Sequence, residues 1–478
     1  MSRKRRKIQL ELAFTWGAEG EARSEPMEGI ELPMAESEPE RTIENERMME
    51  EVCEKKNVKQ AFRRVKSNRG APGIDGMTVD QLRGHLNENW PQIRAELLEG
   101  TWRPKPVKRV KLPKPDGGTR NIGIPTVEDR FVQQAIAQVL QKRWEPKFSD
   151  QSYGFRPRRN AHQAIRQAQK YVQEGYRVMV DIDLEKFFDQ VNHDRLMARI
   201  AEETDDKRIL RILRRLLQCG VMEQGLVSPT IKGTPQGGPL SPLLSNIVLD
   251  ELDKELERRG HRFVRYADDC KIYVRTRRAA ERVMQSVRKF IEKRLRLRVN
   301  EAKSAVGRPQ ERVFLGFTLT SEKRRRIAEK SIKRFRARIR HLTRRRIRVR
   351  IEQVIREVTA YLTGWIGYFG IAEARNIIRK LDEWVRHRLR AMIWHGLKTP
   401  KKRRQHLLSL GVELKLARKV GGSSVGIWPI SGWYVLGTAM PPSYFDSLGL
   451  RRLLSNPMVQ SNRRVRTRTH GGVGGRKP

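Results

Sequence analysis

The chain has 478 residues, with 100 Lys and Arg against 55 Asp and Glu and a formal net charge of +45. That excludes a small stapled domain and makes a polyanion, nucleic acid above all, the expected partner. Hydrophobic residues make up 38%, too many for wholesale disorder, yet no apolar run approaches the roughly 18 residues a membrane span needs, so no membrane partner is expected. Cys53, Cys219 and Cys270 have no CxxC spacing, which rules out a cysteine-built zinc site and suits a reducing compartment. The basic start MSRKRRK runs into Glu11 and Glu19 rather than a long apolar stretch, so a cytoplasmic location is expected.

Charge is segregated along the chain. Residues 1–51 hold 8 Lys and Arg against 13 Glu, a Glu- and Pro-rich stretch that cannot repay the entropy of ordering and reads as a disordered tail. From Glu51 the spacing of Val58, Ala61, Phe62 and Val65 predicts an amphipathic helix that opens a globular domain. VKRVKLP and TRNIGIP flank the turn signal KPDGG, the pattern of a basic β-hairpin. VEDRFVQQAIAQVLQKRW reads as a helix. YRVMVDIDLEKFFD reads as a buried strand running into a helix, and RFVRYADDCKIYVR as a second hairpin whose arms meet at two aspartates. Residues 323–350 carry 15 Lys and Arg and one Glu, yet Ile332, Phe335, Ile339 and Leu342 recur at helical spacing, predicting a basic amphipathic helix. Two further helices, around Val354 to Trp365 and Ile377 to Leu389, offer apolar faces to bury it, and a less regular end begins near Thr399.

The residues with most chemical potential are Asp183, Asp268 and Asp269. Adjacent strand residues point to opposite faces, so Asp268 and Asp269 can share a site only if the backbone turns between them, which a hairpin supplies. Two carboxylates about 4 Å apart repel by roughly 4 kcal/mol at an effective dielectric near 20, so a trio needs a cation among them. Hard oxygen ligands select Mg²⁺ or Mn²⁺, and a pair of such ions can activate a 3′-hydroxyl and stabilise departing pyrophosphate. The plainer alternative is an ordinary acidic turn, with Asp183 capping a helix.

VDIDLEKFFD, GTPQGGPLSPLLSNIVLDELD and RYADDC, in that order, resemble the palm motifs of reverse transcriptases. NVKQAFRRVKSNRGAPGIDGMT, RVKLPKPDGGTRNIGIPTVEDRFVQQAI, QSYGFRPRRNAHQAI, LRVNEAKSAV, VFLGFTL, YLTGWIGYFG and LDEWVRHRLRAMIWHGLKTPKKRRQHLLSLG extend the resemblance to group II intron reverse transcriptases, the maturases, over about residues 51–455. It implies an α+β right-hand polymerase, with fingers and an antiparallel palm sheet over residues 51–320. An all-α basic thumb would span 321–400 and a C-terminal nucleic-acid-binding region 401–455, between a disordered acidic tail at 1–50 and a basic tail at 456–478.

By that resemblance Asp183 takes the first metal position, because Phe188 stands five residues beyond it where the family keeps its sugar-gating aromatic; Asp181 is the second choice. Asp268 and Asp269 take the other metal positions. Lys114 and Arg120 match the triphosphate-binding pair, and Gln236 contacts the incoming nucleotide. Phe187 reads as core, as do Trp365, Tyr368 and Trp384, while His162 and His193 carry no assigned chemistry. Arg324, Arg325, Arg326, Lys333, Arg334, Arg338, Arg344, Arg345 and Arg346 are the expected RNA-binding residues. The implied activity is RNA-directed DNA synthesis from dNTPs with two Mg²⁺ ions, on an RNA template with a DNA primer, together with splicing of a bound intron RNA and retrohoming into target DNA. A splicing-only maturase, or a relative serving phage defence or CRISPR spacer acquisition, is the alternative. Residues after Ser455 offer no paired cysteines for the HNH endonuclease that ends many relatives, so second-strand cleavage is not expected. Oligomeric state is not legible in the sequence.

Overall fold

The computed structural model describes residues 47–113, 119–223, 226–228, 232–234, 237–344 and 350–461. They fall into two compact units divided after Arg325.

The first unit is mixed α/β. Its first described helix, α1 (Met48–Cys53), starts inside the stretch expected to be a disordered tail, because Met48 and Met49 are fully buried. Arg208 grips Glu50 with both terminal nitrogens, at 2.7 and 2.8 Å, and Asp206 accepts from the Met49 amide at 2.9 Å. Helix α2 (Lys55–Ser67) buries Ala61 and Val65 and packs Val58 and Phe62 on the core, as their spacing predicts; α3 (Leu82–Glu99) follows. Strands β1 (Val107–Pro113) and β2 (Thr119–Ile124) form an antiparallel hairpin in which Leu112 opposes Arg120. Its tip, residues 114–118, lies outside the described residues. Helix α4 (Val127–Trp144) is buried on nearly every face.

Asp129, in the first turn of α4, accepts the Lys105 amide at 3.3 Å through Oδ1, while its buried Oδ2 has no hydrogen-bond partner. Burial pushes its carboxyl up to about 6, against the pull of the Thr126 and Lys105 hydrogen bonds. An acid whose pKa rises on folding costs stability where it must ionise, so this penalty is full above about pH 6 and gone below its unfolded value of 3.8. A gap of about two pH units corresponds to about 3 kcal/mol. Asp129→Asn is therefore expected to stabilise the chain at pH 8 by up to that amount and hardly at all near pH 4. Urea unfolding at the two pH values checks this, and an equal gain at both would contradict it.

Helices α5 (Ala161–Gln173), α6 (Phe187–Gln190), α7 (His193–Ala201), α8 (Lys207–Gln218), α9 (Ser241–Arg258) and α10 (Arg277–Phe290) surround two four-stranded sheets. The first runs in the order β2-β1-β4-β5, with β4 (Val221–Glu223) and β5 (Leu226–Ser228). The second, antiparallel throughout, runs β6-β7-β3-β8, with β3 (Val178–Ile182), β6 (Arg262–Tyr266), β7 (Asp269–Val274) and β8 (Ala305–Gly307). Strand alternation decides its two faces. Val180, Ile182, Phe263, Cys270, Ile272 and Val274 enter the core with the helices, each large side chain contributing about 1.5–3 kcal/mol by burial. Met179, Asp181, Asp269, Lys271 and Tyr273 occupy the opposite face, where Tyr171 of α5 packs on Tyr273 with ring centroids 5.6 Å apart.

The second unit is helical. Ile332, Phe335, Ile339 and Leu342 of α11 (Glu329–Leu342) are buried, and Phe335 meets Trp365 of α12 (Ile351–Phe369) at 4.5 Å between centroids. Helix α13 (Arg375–Gly396) buries Ile378, Leu381, Val385 and Leu389. The basic helix expected over residues 323–350 is shorter than its charge run. A turn closes from the Lys323 amide to the Thr320 carbonyl at 2.9 Å, and Arg325–Ile327 is extended before α11 begins. The end expected to be less regular instead forms short helices, including Pro400–Ser409, Leu414–Gly421 and Pro457–Ser461.

Candidate active site

The sheet β6-β7-β3-β8 brings the acidic residues to one end. Ile182 opposes Cys270 as the last pair between β3 and β7, so Asp183 and Asp269 are the next opposed positions, on the face away from the core. Asp268 lies beside them in the β6–β7 turn, which Tyr266 and Asp269 close. The turn has two central residues, and only the first, Ala267, has a positive φ, +58°. That is the type II′ pattern, which favours glycine there; an alanine costs about 1 kcal/mol.

Buried charge holds this strained turn. The Arg265 guanidinium is fully buried, donates to Asp253 Oδ1 at 2.7 Å and to Oδ2, to Asn246 Oδ1 at 3.0 Å, and to the Ala267 carbonyl at 2.9 Å. Burial opposes the charge on Arg265, but Asp253 outweighs it and keeps the guanidinium above its ordinary value.

Two ammonium groups stand among the acids. Lys271, nearly buried, pairs with Asp181 and with Asp269, the latter at 2.6 Å. Burial pushes the Asp269 carboxyl up and Lys271 pulls it back; burial likewise works against the charge on Lys271, but Asp269 and Asp181 hold it above its ordinary value. Lys303 Nζ lies 3.5 Å from Asp183 Oδ2, a buried atom with no hydrogen-bond partner. The Asp183 backbone is pinned by the Ser304 hydroxyl at 3.0 Å and by the Asn300 amide at 2.8 Å.

Among the described residues no three Asp, Glu, His or Cys side chains converge to hold an ion. Asp183, Asp268 and Asp269 share an end of the sheet without forming a closed cage, and the charge of two of them, Asp183 and Asp269, is met by Lys303 and Lys271. The donor set nevertheless fits a hard divalent cation: all candidate ligands are carboxylate oxygens, and Asp183 Oδ2 is left unsatisfied.

Around this end, Phe187 is buried, as expected, and Phe188 is half-buried against it at 5.2 Å between centroids. The Thr234 amide donates to the Phe188 carbonyl at 2.7 Å and the Gly233 amide to the Val191 carbonyl at 2.8 Å. Gly233 has φ +93°, and a Cβ there would stand 2.7 Å from the Phe188 carbonyl oxygen, so only glycine fits. Buried His193, given no chemistry from the sequence, shares a hydrogen bond of 2.7 Å with the Gly233 carbonyl and fixes this loop. Lys114 and Gln236 lie outside the described residues, and Arg120 is placed by its backbone in β2.

Of the expected RNA-binding residues, Lys333 and Arg334 are exposed and Arg338 half-buried on α11, with Arg344 exposed just past its end. Arg324 and Arg326 are exposed and Arg325 half-buried ahead of the helix, Arg324 pairing with Glu322 at 3.1 Å. Arg345 and Arg346 lie outside the described residues. Trp384 is half-buried under the Arg340 guanidinium, 5.7 Å from its ring.

Residues 112–319 match the family described as reverse transcriptase (RNA-dependent DNA polymerase), and residues 332–411 match the group II intron, maturase-specific domain. The chain is 31% identical over 321 residues to Protein YkfC of Escherichia coli K12, covering 59% of this chain and 84% of that protein. It is 36% identical over 195 residues to the group II intron-encoded protein LtrA of Lactococcus lactis subsp. cremoris, covering 41% of this chain and 32% of LtrA. The chain belongs to the group II intron reverse transcriptase/maturase family. A partial Cas6-RT-Cas1–Cas2 complex aligns with 51% of this chain and 42% of that chain, at 20% identity and a TM-score of 0.33. In this maturase-family chain, Asp183, Asp268 and Asp269 fall inside the reverse transcriptase match, and Lys333, Arg334, Arg338 and Arg344 inside the maturase match. Arg324, Arg325 and Arg326 fall between the two.

Proposed function

We propose that this chain is an RNA-directed DNA polymerase that also binds the group II intron RNA encoding it, promoting its splicing and copying RNA into DNA during retrohoming. The first unit corresponds to fingers and palm, and the second to a thumb followed by a C-terminal nucleic-acid-binding region, acting in the bacterial cytoplasm. The observation that carries this reading is the placement of Asp183, Asp268 and Asp269 at one end of an antiparallel sheet, with Asp183 Oδ2 unsatisfied.

Asp183, Asp268 and Asp269 would hold two Mg²⁺ ions, or Mn²⁺ in their place. Such ions supply nucleophile activation and neutralisation of the leaving pyrophosphate. The chain's own residues do the rest. Asp183 and Asp269 present carboxylates to the end of a growing DNA primer, and the Arg265 network keeps Asp268 from swinging with its turn. Lys114 and Arg120 neutralise the triphosphate, Gln236 contacts the incoming nucleotide, and Phe188 stands beneath its sugar. Arg324, Arg325, Arg326, Lys333, Arg334, Arg338, Arg344, Arg345 and Arg346 contact RNA phosphates, which confers affinity with little sequence information.

A second reading, a maturase that binds and folds RNA without polymerising, is favoured by the pairing of Lys271 and Lys303 with the acids. Primer extension with dTTP on a poly(rA) template, alongside splicing of the host intron, separates the two. Incorporation supports the polymerase, whereas splicing without incorporation refutes it.

The gate has its own test. Phe188→Ala is expected to lower the preference for dNTP over rNTP, as a ratio of kcat/KM, by roughly tenfold or more. An unchanged ratio would return Phe188 to a packing role.

A further inference from the structure

The segment 148–160 between α4 and α5 carries no assigned role, yet it is firmly clamped beside the acidic turn. Arg156 is buried and donates to the Ser149 carbonyl, to the Ser152 carbonyl at 2.9 Å, to the Glu145 carbonyl at 3.2 Å and to the Glu145 carboxylate at 3.0 Å. The loop then zips onto the free edge of β6. The Arg265 amide donates to the Gln151 carbonyl and the Tyr153 amide to the Arg265 carbonyl, each at 2.9 Å, and Asn246 donates to the Gly154 carbonyl at 2.9 Å. Gly154 lies so close to the turn that a Cβ there would stand 2.2 Å from the Ala267 nitrogen.

The next residue, Phe155, is held at φ +59° and is 48% exposed. Left-handed backbone is a genuine outlier for a bulky residue and persists only where the surroundings enforce it. An exposed phenylalanine alone is unremarked on a protein surface. Here the aromatic ring is exposed, its backbone is strained, and it follows directly on the glycine that abuts the acidic turn. Exposed Arg158, also left-handed at φ +57°, adds a cation three residues on. An aromatic face and a guanidinium on one loop are the chemistry that engages a base or sugar together with a backbone phosphate.

We propose that Phe155 is a nucleic-acid contact that packs against a nucleotide at the terminal base pair of the template–primer duplex, beside the acidic turn. This rests on the polymerase reading, which it deepens by naming a contact to the duplex. The strain is accepted because Arg156 and the β6 edge hold the backbone around Phe155 in place, so little backbone ordering is left to occur on binding.

The decisive variant is Phe155→Gly, which removes the ring and suits the positive φ, so its Tm is expected to equal or exceed that of the parent. Affinity for a recessed template–primer duplex, read by fluorescence anisotropy without dNTPs, is expected to weaken roughly tenfold. Affinity for an intron RNA without a primer end is expected to be unchanged, and Phe155→Trp is expected to keep duplex affinity. An unchanged duplex Kd in Phe155→Gly overturns the proposal, as does an equal loss for both nucleic acids. A duplex-specific loss in a chain that incorporates no dNTP supports the contact while refuting the polymerase reading, so the two failures are distinguishable.

Discussion

Asp183→Asn and Asp268→Asn are each expected to reduce dNTP incorporation on a primed template by a factor on the order of 10³, with intron RNA affinity little changed. The substitution keeps the size of the side chain and removes only the anionic oxygen. Asp183 Oδ2 accepts no hydrogen bond within the protein, so an amide there gives up only the half-exposed ion pair with Lys303 and an oxygen a cation could use. The Asp183 backbone stays pinned by Ser304 and Asn300, so the strand end should not move. Asp181 is the internal control. It lies on the same face but within the strand ladder, opposite Lys271 and paired with it, and Asp181→Asn is expected to cost far less incorporation. Single-nucleotide extension rates and filter binding of intron RNA read the two effects. A fully active Asp183→Asn would transfer the metal role away from Asp183.

Arg265→Met is expected to destabilise the chain by about 3–5 kcal/mol, because it leaves the fully buried Asp253 carboxylate without its partner. It also frees the Ala267 carbonyl and Asn246. The double variant Arg265→Met, Asp253→Leu removes both charges and is expected to recover most of the stability by urea unfolding. Polymerisation should not recover with it, because the bond from Arg265 to the Ala267 carbonyl is still missing and the strained turn is no longer tied down. A double variant regaining both stability and kcat would show that Arg265 serves folding alone.

The fold was legible wherever a periodicity met an apolar face. The alternation of Val178, Val180 and Ile182, the hairpin around RYADDC and the inner face of α11 all follow from side-chain spacing. Alternation could not choose between Asp181 and Asp183, since two residues apart they share a face; the end of the strand ladder separates them. Lys271 and Arg265 were missed for a related reason. Arg265 occupies an inward strand position where an apolar residue is expected, and its partner Asp253 looks, in sequence, like one more solvated helix charge. Lys271 is identified only by the register that sets it across from Asp181. The charge run at residues 323–350 misled because charge composition is silent on conformation, and three of its arginines precede the helix. That the three acids share a sheet end without closing into a metal cage was beyond the reach of residue spacing, because it depends on Lys271 and Lys303, which stand against two of them.

Gly154 and Ala267 meet with no room for a methyl group, although 112 residues of chain separate them. The glycine cannot therefore drift alone: any side chain at position 154 demands that the Tyr266–Ala267 backbone give way. A segment with no acid of its own in the aspartate turn is thereby made a co-tenant of it, and any remodelling of that turn's backbone must remodel both partners in step.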